Sequence, residues 1–336
     1  MGPLINITTP YNVSESIYWL IKYFIGPSRK NSGIIKSIPP FSLLNNNVTP
    51  KYTLVFAGDI MPMRKRQLNF SARLKEFVAR SDYFIGNFEG TITEQAKKSW
   101  FSPSDQRHDR GIIDSLAAIF PPEKTYLSVA NNHAADFGKE EFFASVNILE
   151  SCKFKVFGWN ERPFVDVNDD IRLIAGTMWS NRKCDYIAGL QDSRHYTKPQ
   201  AANILYAHFG YEHELFPRPK TVKMAKQLLH TFDAVIGHHS HCPQPVNAET
   251  TSGINKLLVY SLGNFCRASR ARKYQYGIVV KADLGKSESG VWLTQKVDWR
   301  LTKCSLTPSG GCTVDLSNDN LLNINILRRN PKLNYS

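Results

Sequence analysis

Tyr52-Thr53-Leu54-Val55-Phe56-Ala57-Gly58-Asp59 is the stretch on which the fold turns. Its apolar run reads as a buried strand, and a glycine followed by a carboxylate closes it. Comparable apolar runs predict strands at 83–85, 126–130, 171–175, 204–207, 234–236, 257–261 and 277–280, with helical patterns over 139–149 and 221–230 between some of them. Strands that alternate with helices define a layered α/β domain.

In open α/β sheets ligands bind outside the carboxyl ends of the strands. Working outward from Asp59, side chains able to hold a metal stand at that point in strand after strand. Asn87-Phe88-Glu89-Gly90 sets an amide and a carboxylate two residues apart, on one side of an extended segment. Asn131-Asn132-His133 follows the next run, with Asp136 and Gly138 behind it. Asp136 is placed either to orient His133 or to cap the helix that begins near Gly138.

His208-Phe209-Gly210-Tyr211-Glu212 and Gly237-His238-His239-Ser240-His241 close two further strands. One histidine is ordinarily structural, but three within four residues directly after a strand point to ligation. Mixed carboxylate, amide and imidazole donors suit a pair of divalent ions such as Mn, Fe or Zn, whereas Mg or Ca would favour oxygen alone. Such a pair serves phosphoryl transfer. Beyond Asn264, the run Cys266-Arg267-Ala268-Ser269-Arg270-Ala271-Arg272-Lys273 is basic. Asn264, Arg267, Arg270 and Arg272 are therefore candidates for gripping an anionic substrate, the alternative being a solvated loop.

The rest of the chain is read around this domain, expected over 51–286. Residues 1–50 form an appendage with one short helix, capped by Ser14 and stopped at Gly26-Pro27. Ile17, Leu20, Ile21 and Phe24 share a face expected to pack on its own domain, with a membrane or partner as the alternative. Residues 287–336 form an extension on the same domain, with strand-like pieces at 292–296 and 324–327. With 42% hydrophobic and 21% charged residues, the chain is not mostly disordered. The net charge of +13 implies an anionic partner. Six dispersed cysteines without a CxxC pair read as reduced thiols. The N-terminus has no secretory pattern and no run is long enough to span a bilayer, which suggests a cytoplasmic or peripherally membrane-associated protein.

Taken in order, Gly58-Asp59, Asn87-Phe88-Glu89-Gly90, Ala130-Asn131-Asn132-His133 with Asp136 and Gly138, His208-Phe209-Gly210-Tyr211-Glu212, Gly237-His238-His239-Ser240-His241 and Ser261-Leu262-Gly263-Asn264-Phe265 resemble the CapA family of capsule biosynthesis proteins over residues 52 to about 282. The resemblance implies a calcineurin-like metallophosphoesterase fold, a four-layer α/β/β/α sandwich, and a part in making capsular poly-γ-glutamate or a related surface polymer. By position, it implies Asp59, Glu89, Asn132, His208, His239 and His241 as metal ligands and His133, with Asp136, as the general-acid element. Asn87, Asn131, Glu212 and His238 would either ligate or orient a ligand. The chain departs from the broader phosphoesterase pattern of Asp-x-His, since Ile60 and Met61 follow Asp59, and it has Phe209 where the family often has Trp. CapA proteins of the polyglutamate system are typically membrane-anchored, and no anchor is read here.

Three functions compete. The first is a metal-dependent hydrolase or transferase acting on a phosphorylated or polyanionic intermediate. The second is a non-catalytic factor that binds the polyanion or polymer synthesis enzymes. The third is a metal-dependent nuclease, which ranks last because no run alternates aromatic and basic residues along a strand-binding groove, making nucleic acid an unlikely partner.

Overall fold

The computed structural model describes residues 9–31, 37–95, 105–251, 253–269 and 271–318. The predicted strand at 324–327 and Arg270 lie outside the described residues, as does the side chain of Arg272.

Helix α1 (Val13–Ile25) opens the described chain. Asn12, not Ser14, caps it, accepting from the Glu15 amide, and Gly26 ends it. Strands β1 (Val48–Ile60), β2 (Tyr83–Phe88), β3 (Thr125–Ser128) and β4 (Lys155–Phe157) then run parallel, side by side. Helices α2 (Ala72–Ala79), α3 (Ile112–Ala117) and α4 (Lys139–Ser151) fall between them in the chain.

The chain next builds a second sheet from β5 (Phe164–Asn168), β6 (Ile171–Thr177), β7 (Ala202–His208), β8 (Ala234–His238), β9 (Val246–Thr251) and β10 (Ile254–Val259). Its order is β9-β10-β8-β7-β6-β5, with four parallel strands and an antiparallel strand at each edge. Helix α5 (Pro219–Leu228) links β7 to β8. The chain then returns to the first sheet through β11 (Asn264–Cys266), β12 (Tyr276–Ser287), β13 (Trp292–Leu306) and β14 (Cys312–Leu316). Strands β12, β13 and β14 extend that sheet antiparallel beyond β1, and β11 pairs with the end of β1. The protein is thus mixed α/β. Residues 41–43 also pair with β13, so segments from both ends of the chain lie in the first sheet.

Alternation along the strands explains how the layers meet. In β1, Leu54 and Phe56 join Ile85 and Tyr126 against Leu173, Ala175, Ile204, Tyr206, Ile236 and Val259 of the second sheet. Val55 and Ala57 face the other way, with Leu74 and Val78 of α2, Leu116 of α3 and Phe142, Val146 and Leu149 of α4. On the second sheet, Leu205, Ala207, Val235 and Leu258 pack with Ala225 and Leu228 of α5. The Tyr206 hydroxyl donates to the Ala57 carbonyl, tying β7 to β1 just before each strand reaches its polar end.

The outer face of α1 differs from expectation. Ile17, Ile21 and Phe24 are exposed, and the helix buries Lys22 instead. The reason is the surface beneath it, which is polar. Lys22 Nζ pairs with Glu214 Oε1 at 2.9 Å, Trp19 Nε1 donates to Glu212 Oε2 at 2.5 Å, and Arg218 forks onto both Glu15 oxygens at 2.9 and 2.5 Å. Against such a surface, the polar side of the helix is the one that fits.

Candidate metal centre

Parallel pairing brings the strand ends into register. Asp59 stands opposite Asn87 and Asn264, and His208 opposite His238. The close approach depends on Gly58, where an added Cβ would lie 1.9 Å from the Gly263 carbonyl oxygen. Asp59, Glu89, Asn132, His208, His238, His239 and His241 are all buried. Two donor groups emerge, Asp59 with His208 and His238, and Asp59 with Glu89 and His241, each with one donor atom per residue and all of these within 4.8 Å of one another. Asp59 belongs to both.

The detailed contacts show how this is held. His238 Nδ1 lies 3.2 Å from Asp59 Oδ1 and 2.8 Å from His208 Nδ1. His241 Nδ1 lies 3.3 Å from Asp59 Oδ2, and its Nε2 lies 3.5 Å from Glu89 Oε1. Asn87 donates to Asp59 Oδ1 at 2.9 Å, while Asn131 donates to the Phe88 carbonyl at 2.9 Å and to Asn87 Oδ1 at 3.3 Å. Asn87 thus braces the carboxylates, also reaching Glu89 Oε2 at 3.4 Å, and Asn131 holds Asn87 in place. His208 Nε2 donates to Asn132 Oδ1 at 2.7 Å, so Asn132 sits beside the first group.

Three of the expected site residues lie outside the two donor groups. His239, expected as a ligand, falls in neither donor group. Its backbone N–H donates to Asp59 Oδ2 at 3.2 Å, its φ is 92° and its ring stands 4.3 Å from that of His208, whereas His238, still within β8, has Nδ1 3.2 Å from Asp59 Oδ1. Asn264, expected to bind substrate, is buried with its amide committed inside the protein: Oδ1 lies 3.0 Å from His241 Nδ1, and Nδ2 donates to the carbonyls of His241 and Tyr274. Glu212 also falls in neither group, being held by Trp19 and lying 3.5 Å from His213 Nε2. Arg267 is half-buried over the Tyr274 ring, 4.9 Å from its centroid.

Of the two positions open to Asp136, its Oδ2 lies 2.7 Å from His133 Nδ1, and α4 has no side-chain cap at Gly138. Burial pulls the His133 pKa down, but the Asp136 carboxylate outweighs it and leaves the imidazole above its usual value. His133 Nε2 lies 3.7 Å from Glu89 Oε1. The neighbouring groups move the other way. Burial, reinforced by the Asp59 charge, drives Glu89 well above the usual carboxylate range. Burial, followed by the charges of His239 and His238, holds His208 well below the usual imidazole value. Burial also lowers His238, and brings His239 to about 3.

Four contributors were not read from the sequence. The Tyr11 hydroxyl lies 3.0 Å from His239 Nε2 and accepts from the Glu212 amide at 3.1 Å, with its ring against Trp179 and Tyr211. Trp19 closes over Glu212. Asn181 Nδ2 lies 3.2 Å from His133 Nδ1, and Asn181 Oδ1 accepts from Asn132 at 3.0 Å. Trp179 and Asn181 follow β6, so the rule that found the other strand-end residues could have found them. Nothing in the sequence signals Tyr11 or Trp19.

The donor set fits divalent cations. Glu89 Oε1, His238 Nε2 and His239 Nδ1 are buried without a hydrogen-bond partner, which is costly unless something else meets them. Neutral imidazoles and carboxylates in one buried cluster are what Mn, Fe or Zn would take.

Fold and site together define the class: an α/β protein with a candidate metal centre at the carboxyl ends of its parallel strands. The family described as "Bacterial capsule synthesis protein PGA_cap" matches residues 53–164 and 186–269, and the chain belongs to that family. It is similar to "Capsule biosynthesis protein CapA" of Bacillus anthracis, 23% identical over 249 residues that cover 64% of this chain and 59% of that protein. It is also similar to "PGA biosynthesis protein CapA" of Bacillus subtilis (strain 168), 22% identical over 276 residues, covering 72% and 70% respectively. The match thus spans less than two thirds of the B. anthracis relative. Among solved structures, a hypothetical protein from Thermus thermophilus aligns with a TM-score of 0.44 and 13% identity, covering 75% of this chain and 99% of that one.

Proposed function

We propose that this protein is a metal-dependent, phosphoesterase-like enzyme of surface-polymer biosynthesis, acting on a phosphorylated or polyanionic intermediate. The observation that carries the reading is that Asp59 is shared by two donor groups. Asp59, His208 and His238, with Asn132 adjacent, would hold one divalent ion. Asp59, Glu89 and His241 would hold the other. Such a pair, when bound, lowers the pKa of a water and offsets charge on a phosphoryl oxygen. We also read the α-helical, sheet, sheet and helical clusters as the four-layer sandwich of metallophosphoesterases.

The chain's own groups then have distinct tasks. Asn87 fixes the Asp59 and Glu89 carboxylates, and Asn131 holds Asn87 in turn. His133 keeps its proton because Asp136 stands at Nδ1, which leaves Nε2 to donate to a leaving-group oxygen as general acid. Arg267 supplies positive charge nearby. Hydrolysis of a generic phosphoester by purified protein, lost on chelation and in His241→Ala, is the expected result. Activity that survives both treatments would remove the reading.

A second reading, a non-catalytic polyanion-binding assembly factor, is favoured by one observation: the donor groups are fully buried, and Tyr11 and Trp19 occupy the neighbouring His239 and Glu212. It predicts polymer binding that weakens with salt and survives chelation.

A further inference from the structure

We propose that α1 docks in the plane of an anionic lipid surface through its outward face. Val13, Ile17, Ile21, Phe24 and Ile25 are 79, 56, 47, 75 and 81% exposed, an apolar stripe along a helix whose inward side carries Glu15, Trp19 and Lys22. Contiguous exposed apolar surface of this kind marks a contact site. The helix cannot roll to bury the stripe without breaking Lys22 from Glu214 and Glu15 from Arg218, so these inner contacts fix the outer face toward whatever it meets.

Charge favours lipid as the occupant. The charged residues of 9–31 are Glu15, Lys22, Arg29 and Lys30. Glu15 is neutralised by Arg218, and Lys22 is buried against Glu214. Arg29 and Lys30 therefore set the sign of the segment, just past the exposed Phe24 and Ile25. Lys273 stands at the same end, its Nζ donating to the Tyr23 and Phe24 carbonyls. Tyr18 and Tyr23, 39 and 36% exposed, flank the stripe. Apolar side chains for the acyl boundary, rings beside them and cations for headgroup phosphates make up the pattern of an interfacial helix. Among the described residues no helix is long and apolar enough to cross a bilayer, so the contact is one of lying on it. The proposal stands apart from the metal reading. It adds that the element carrying Tyr11 to His239 is the one facing the lipid.

The test is sedimentation of the full chain with vesicles of phosphatidylcholine alone or mixed with phosphatidylglycerol. Wild-type protein should sediment with the mixed vesicles, and a triple variant Ile17→Ser, Ile21→Ser, Phe24→Ser should bind more than about tenfold more weakly. Phe41→Ser, which removes a 60% exposed ring elsewhere, should bind as wild type does. Should the triple variant not fold, Arg29→Glu with Lys30→Glu must weaken binding to the mixed vesicles. Failure of wild-type protein to bind, undiminished binding by the variants, or self-association that the apolar substitutions abolish in the absence of lipid binding would each overturn the proposal.

Discussion

The hydroxyl of Tyr11 lies 3.0 Å from Nε2 of His239, a residue 228 positions further along the chain. Through that contact the N-terminal segment becomes a wall of the candidate metal centre. Tyr11→Ala should therefore speed the transfer of bound metal to a chelator several-fold and cost on the order of 2 kcal/mol of stability from the lost ring packing. Stopped-flow chelation reads the first and urea unfolding the second. An unchanged transfer rate would mean that the segment does not control access.

Gly58 should tolerate no side chain. A Cβ there would meet the Gly263 carbonyl oxygen at 1.9 Å, forcing apart the backbones that hold Asp59 and Asn264. Gly58→Ala is expected to destabilise by more than about 3 kcal/mol, a size reserved for such mechanisms. Chemical denaturation checks it, and a loss below about 1 kcal/mol would show that the strands separate easily.

Much of this centre was legible in the sequence. Apolar runs end where a parallel sheet presents its ligands, the family resemblance singles out Asp59, Glu89, Asn132, His208 and His241 there, and the structure brings these five residues together. Spacing does not say that His238 and not His239 joins a donor group with Asp59, because the backbone leaves the extended strand at His239, where φ is 92°. The outward face of α1 was also hidden. An amphipathic pattern says which side chains share a face, but not that the surface awaiting the helix is built of Glu212, Glu214 and Arg218. Tyr11 carried no signal because its partner is remote in the chain.

Asp136→Asn should lower kcat by about tenfold to a hundredfold with little change in KM, because it removes the carboxylate that orients His133 and keeps it protonated. Steady-state kinetics on a phosphoester substrate separate the two parameters. A rise in KM alone would place Asp136 in substrate binding instead.

Acidification should loosen α1. Hydrogen bonds from Arg218 hold the Glu15 carboxyl below its ordinary 4.5, so folding gains stability from this group above that value and loses it as pH falls through the lowered one. Amide exchange in 13–25 should rise as pH falls below 4.5, ahead of exchange in β1. Glu15→Gln should show the faster exchange already at neutral pH. Equal exchange in wild type and variant across that range would show that the Arg218 fork does not hold the helix.

Metal stoichiometry tests the central claim most directly. Elemental analysis of protein dialysed after exposure to Mn, Fe or Zn should find about two ions per chain in the wild type, and a loss of both in Asp59→Ala, since both donor groups use that carboxylate. A wild-type protein that retains no metal, or an Asp59→Ala variant that retains as much as the wild type, would contradict the account.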